Sequence, residues 1–238
     1  MSGHSKWATI KHKKAKEDAK RGKVFTKLVR EITVASREGG PDPDGNPRLR
    51  LILEKAKSVN MPAENIQRAI KKGSGGVEGE SYQAHTYEGY GVHGTAIMVE
   101  TLSDNKNRTV ADLRHVFTRM GGNLAEGGAV AWMFEHKGVV RGTSALSEDD
   151  LIEKLISVDI DDLTKEEDSV VITCKIQDLI AVKKAAEAAG VKVEQAQFEW
   201  ISKNNVSLEN EEQEEQVIKL LEGLEDLDDV QNVYTNFA

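Results

Sequence analysis

Residues 82–102 read YQAHTYEGYGVHGTAIMVETL. Gly89, Gly91 and Gly94 fit G-x-G-x-x-G, the spacing of a dinucleotide-binding turn. That motif needs a strand before it and a helix after it, so that a pyrophosphate can rest on the helix N-terminus. Here the residues after the glycines, Thr95–Leu102, are β-branched and apolar and predict a second strand. The stretch is therefore a hairpin, Tyr82–Glu88 and Thr95–Leu102 around Gly89–Gly94, and not a nucleotide site. No G-x-x-x-x-G-K-[ST] occurs in the chain.

N-terminal to the hairpin the period is helical. Val24, Leu28, Ile32 and Ala35, widened by Phe25 and Val29, line one face, and Gly39-Gly40 stops the helix. Asn46-Pro47 predicts an N-cap followed by proline in the first turn, with Leu49, Ile52, Leu53 and Ala56 on the inner face. A third helix starts at Pro62, carries Ile66, Ala69 and Ile70, and ends at Gly73. Gly73-Ser74-Gly75-Gly76 reads as a linker. Three short helices with apolar faces make a small bundle. Lys11–Arg21 has good helix formers and almost no apolar stripe, as expected of a segment that orders on a partner.

C-terminal to the hairpin, strands and helices alternate. The pattern predicts a helix over Thr109–Met120 with Thr109 and Asp112 as a capping box, and a strand over Val130–Val140. A helix over Ser147–Ser157, strand Ser169–Lys175, helix Gln177–Ala189 and strand Val191–Ile201 follow. A short strand near Val206, a helix around Gln213–Leu224 and strand Val230–Tyr234 finish the chain. Elements of this size predict an α+β fold with two ferredoxin-like modules.

Composition excludes several classes of protein. No apolar run among the 238 residues approaches the roughly 20 needed for a membrane helix. The single cysteine, Cys174, allows neither an internal disulfide framework nor a multi-cysteine zinc site, and its apolar strand predicts a small core hydrophobe. His4, His12, His85, His93, His115 and His136 have no second ligand at a recognised metal spacing. No metal, cofactor or small-molecule substrate is expected, and no catalytic residue is assigned. With no apolar signal core at the N-terminus, the expected location is the cytoplasm.

Charge points to a partner. The net charge of −8 divides unevenly: residues 1–77 hold 18 Lys+Arg and 8 Asp+Glu, a balance of +10, and residues 78–238 carry −18. Such asymmetry predicts a basic segment for a polyanion attached to an acidic body; the competing reading is that the basic part docks on the acidic part of the same chain. The candidate nucleic-acid contacts in the first segment are Lys6, Lys11, Lys13, Lys14, Lys16, Lys20, Arg21 and Lys23, opposed by Glu17 and Asp18. Trp7 and His12 interleave aromatic faces with them. Cations neutralise phosphates and release counterions, and an exposed Trp can stack on a base. Trp7 has burial against the bundle as its alternative. Lys106 and Arg108, with Arg114 and Arg119 beyond them, form a second patch; its alternative is pairing with acids of the same chain.

Several short runs carry a resemblance. They are Ser2-Gly3-His4-Ser5-Lys6-Trp7, Asp18-Ala19-Lys20-Arg21-Gly22-Lys23, Asn46-Pro47-Arg48-Leu49-Arg50, Tyr87-Glu88-Gly89-Tyr90-Gly91, Leu102-Ser103-Asp104-Asn105, Gly121-Gly122-Asn123-Leu124 and Val233-Tyr234-Thr235-Asn236. Together they resemble the YebC/PmpR family over essentially the whole chain. The resemblance implies three domains: a basic helical domain over 1–77, an α+β domain over 78–130 completed by 204–238, and an α+β domain over 131–203 inserted within it. It implies a non-enzymatic regulator of gene expression, since members are described as DNA-binding transcriptional regulators and relatives as translational activators linked to ribosomes. Residue and resemblance together predict a monomeric protein that binds rRNA on the ribosome through its basic N-terminal segment. The competing reading is a DNA-binding transcriptional regulator. It is weakened by the lack of a helix-turn-helix pattern and of the Asn/Gln/Arg set that reads base edges.

Overall fold

A computed structural model describes residues 6–7, 21–75 and 82–238. The described residues form seven α-helices and two four-stranded sheets. They divide into two compact units: Glu135–Ile201, and the residues before Glu135 together with Ser202–Ala238.

The larger unit begins with the helical bundle. Helices α1 (Arg21–Gly39), α2 (Pro47–Ser58) and α3 (Ala63–Gly73) bury Leu28, Ile32, Ala35, Leu49, Ile52, Ala56, Met61, Ile66 and Ala69 in one core. Their boundaries follow local chemistry. Gly40 takes a left-handed φ of +87° after α1, and the Asn46 side chain accepts from the Leu49 amide at 3.0 Å, with Pro47 in the first turn of α2. Gly73 is the last helical residue rather than linker, and its missing side chain has a use. A Cβ there would lie 2.3 Å from the Thr33 carbonyl oxygen, so only glycine lets α3 close on α1.

The same unit contains a sheet built on the predicted hairpin. Strands β1 (Gln83–Tyr90) and β2 (Ala96–Ser103) pair antiparallel from Gln83↔Ser103 to Tyr90↔Ala96. Helix α4 (Lys106–Arg119) leads to the two-residue strand β3 (Asn123–Leu124), which pairs with β1. After the second unit, α7 (Glu211–Glu225) and β8 (Val230–Thr235) return, and β8 pairs with β2. The order is β3-β1-β2-β8, with the hairpin at its centre. One core joins Ile97 and Val99 of β2, Leu113 and Phe117 of α4, Val217, Leu220, Leu221 and Leu224 of α7, and Val230 and Val233 of β8.

In sequence, the other unit comes between β3 and α7: β4 (Phe134–Thr143), α5 (Glu148–Lys154), β5 (Asp162–Glu166), β6 (Ser169–Cys174), α6 (Leu179–Ala188) and β7 (Lys192–Ser202). Its βαββαβ succession with strand order β5-β6-β4-β7 is the ferredoxin-like arrangement. Val140, Val170, Ile172 and Cys174 on the strands and Leu151, Leu155, Leu179, Val182 and Ala186 around the helices are buried. Arg141 and Glu199 form a buried bidentate pair across β4 and β7.

Three expectations are corrected. Helix α4 begins at Lys106, not Thr109, because Asn105 is the cap and accepts from the Arg108 amide at 3.1 Å. Residues 130–133 are not strand: a turn over Ala131–Met133 precedes β4, and the buried Glu88 carboxylate accepts from the amides of Gly128, Val130 and Ala131. Near Val206 there is a single bridge to Phe237.

Candidate nucleic-acid interface

The end of β2 and the first turn of α4 bring Ser103, Asp104, Arg108 and Thr109 to one point. The residue before β8, Asp229, meets them there. Its buried carboxylate accepts from Ser103 Oγ at 2.9 Å, Thr109 Oγ1 at 2.8 Å, Arg108 Nη2 at 2.9 Å and Arg30 Nη1 at 3.0 Å. Burial alone would raise this carboxyl; the hydrogen bonds from Thr109, Arg108 and Ser103 outweigh it and hold the group below the usual carboxylate range. Arg108 is raised in turn by its hydrogen bonds to Asp229 and Asp104.

Lys23, Lys27 and Arg30 lie at i, i+4 and i+7 on α1 and form one stripe. Lys23 Nζ reaches Asp226 Oδ1 at 3.1 Å, Lys27 Nζ the Glu225 carbonyl at 2.8 Å, and Arg30 the Asp228 carbonyl as well as Asp229. The stripe thus meets the C-terminal end of α7, where cations suit the helix dipole.

The predicted contact residues therefore differ in their placement. Lys6 pairs with Glu214 at 2.5 Å and its amide donates to the Phe237 carbonyl; Lys23 pairs with Asp226; Arg108 pairs with Asp104 and Asp229. These cations are engaged within the chain, and at the start of α4 an anion of the protein itself already sits against Arg108. Trp7 is 3% exposed and packs in the core of the hairpin sheet, so its face is not open to a base. Lys106 is exposed and makes no ion pair among the described residues. Arg21 opens α1, and Lys11, His12, Lys13, Lys14, Lys16 and Lys20 lie outside the described residues.

Arg114 and Arg119, also on α4, are exposed without an acidic partner among the described residues, as are Lys57 of α2 and Arg68 and Lys71 of α3. The last three are exposed cations that no sequence motif singles out. The only signal for them was their exposure at polar positions of helices that predict well.

Among the described residues no group of three or more His, Cys, Asp or Glu is placed to hold a metal ion. Burial pushes the Cys174 thiol up to about 11, the environment of an unreactive core cysteine. No helix among the described residues is long and apolar enough to cross a membrane.

Comparison with known proteins adds the relatives. Residues 5–76 match a family model described as the TACO1/YebC protein N-terminal domain, and residues 82–237 one described as the TACO1/YebC second and third domain. A probable transcriptional regulatory protein of Citrifermentans bemidjiense is 51% identical over 237 residues, covering 100% of this chain and 96% of its own length. One of Chlorobaculum tepidum is 53% identical over 213 residues, 89% of this chain and 85% of its own. The crystal structure of a conserved hypothetical protein, Aq1575, from Aquifex aeolicus superposes with a TM-score of 0.85 at 49% identity, covering 93% of this chain and 91% of that one.

Proposed function

The chain belongs to the TACO1/YebC family, and from that membership and the placement of its cations we propose that it is a non-enzymatic, nucleic-acid-binding regulator of gene expression that acts in translation, on ribosomal RNA. A surplus carries this reading. Lys6, Lys23, Lys27, Arg30 and Arg108 are matched by acids and carbonyls of the same chain. Exposed Lys57, Arg68, Lys71, Lys106, Arg114 and Arg119 have no acidic partner among the described residues. To these the sequence adds Lys11, Lys13, Lys14, Lys16 and Lys20, opposed by Glu17 and Asp18. Unmatched cations of this kind on a chain of net charge −8 suit a phosphate backbone, while the acidic remainder discourages indiscriminate binding to polyanions. On this reading the protein is a cytoplasmic monomer of three domains: 1–77, 78–130 with 204–238, and 131–203.

The test replaces Lys11, Lys13, Lys14, Lys16 and Lys20 together by Gln. Deleting residues 2–22 would also remove Trp7 from the core, so substitution is the cleaner variant. Wild type is expected to sediment with ribosomes at moderate salt and the variant to stay in the supernatant. The slope of log affinity against log salt should fall by about 4, near one unit per cation removed. Equal sedimentation of the two would refute the role of this segment.

A second reading, regulation of transcription through DNA, is favoured by the names of the relatives, which are called probable transcriptional regulatory proteins. A footprint on DNA that survives competitor DNA at physiological salt would establish it in place of the ribosomal one.

A further inference from the structure

Resting on the RNA reading above, we propose that Trp132 and Tyr90 form a fixed stacking platform for an unpaired base of single-stranded RNA. Trp132 is 61% exposed, although both flanking anchors are buried: Val130 is 0% and Phe134 3% exposed. The indole is therefore turned outward by a chain tied down on either side, and it is not exposed through looseness.

Three sets of hydrogen bonds fix the segment. The Glu88 carboxylate accepts from the amides of Gly128 at 2.7 Å, Val130 at 2.7 Å and Ala131 at 2.8 Å. The Lys203 amide donates to the Met133 carbonyl at 2.8 Å. Trp132 Nε1 and the Tyr90 hydroxyl both donate to the Ala129 carbonyl, at 3.1 Å and 3.0 Å. The two exposed aromatic residues are thus held to a single backbone oxygen.

That arrangement selects the ligand. With its N–H already satisfied, the indole has only its π-face to offer. Tyr90, itself 39% exposed, has likewise given its hydroxyl proton to Ala129. Beside Trp132 in sequence stand Glu126, Gly127, Gly128, Ala129 and Ala131, small or polar residues. A protein hot spot needs a surrounding ring of contacts that excludes water. A base needs one flat, accessible face, and stacking on an aromatic side chain tolerates any base. Because the platform is fixed before binding, the interaction loses little ordering entropy. It supplies no net positive charge, so attraction to phosphates falls to the cations described above, and platform and cations are separable.

The experiment uses a fluorescein-labelled single-stranded RNA of twelve nucleotides and its blunt duplex, with the full-length protein, titrated by anisotropy across a salt series. W132A is expected to bind the single strand about tenfold more weakly than wild type, with duplex affinity and the salt slope unchanged. W132F, which keeps a ring, should recover most of the loss. Unaltered thermal melting of both variants confirms that the fold is intact. Single-strand affinity of W132A equal to wild type would overturn the proposal, as would equal weakening for duplex and single strand. Loss of ribosome sedimentation by W132A with unchanged RNA affinity would assign Trp132 to a protein contact, and also overturns it. Failure of the ribosomal reading shows elsewhere, as an unchanged salt slope and sedimentation in the lysine-to-glutamine variant.

Discussion

Asp229 is the residue on which the larger unit turns. Two hydroxyls and two guanidiniums donate to it, and Arg30 reaches it from a helix far away in sequence. Asp229→Asn leaves two arginines facing an amide, and unfolding by urea should show a loss of about 3 kcal/mol. The pH dependence has a definite sign. The folded Asp229 is held below its ordinary value, so its contribution is complete above the unfolded value of about 3.9 and is lost as pH falls through the folded one. Glu88 behaves alike: burial would raise it, but the amides of Gly128, Val130 and Ala131 lower it further. Wild type should therefore lose melting temperature steeply below about pH 4. Glu88→Gln should melt lower than wild type at pH 7, with a shallower decline between pH 4 and pH 2.5. Parallel curves for the two proteins would contradict this assignment. At this scale the sequence is only half legible: Arg108 and Lys23 stand out as charges, but nothing near them announces Asp229 or Asp226.

Elements were legible where a local signal sets them. Asn46-Pro47 starts α2, Gly40 ends α1, and the apolar faces of all three bundle helices coincide with the buried residues. The strands that escaped reading lack such signals. Strand β3 is the dipeptide Asn123–Leu124, and β5, DLTKE, is a charged edge strand; edges of this kind avoid the apolar alternation that marks a strand. Residues 130–133 misled for another reason, since their conformation is dictated by a carboxylate 42 positions before Val130. The platform on Trp132 could not be foreseen, because exposure is a property of the folded loop. Two substitutions test the element-level account. Gly73→Ala gains helix propensity but drives a Cβ into the Thr33 carbonyl, and should cost about 1–3 kcal/mol in urea unfolding. Asn105→Ala removes the cap of α4 and should cost about 1 kcal/mol. A stabilised Gly73→Ala protein would show that α1 and α3 can separate without penalty.

For the whole molecule, two units with separate cores should open separately. Cys174 is buried in the inserted unit and Asp229 in the other, so each reports on one. Asp229→Asn should lower the main melting transition while leaving the rate of Cys174 alkylation under native conditions within about twofold, as expected of domains with their own cores. A large acceleration would mean that the two units unfold together.

The return of the chain into its first sheet has a bearing on synthesis. Strand β2 is buried along nearly its whole length, and one of its edges is covered by β8, which is made well after it. At ordinary elongation rates, roughly ten seconds separate the two strands, while the bundle and the inserted unit can already close. Through that interval an apolar strand stands with an open edge, the kind of surface on which chains adhere to one another. A product cut short before Val230 never leaves that state. Copies terminated before that strand should therefore be sticky substrates for chaperones and proteases.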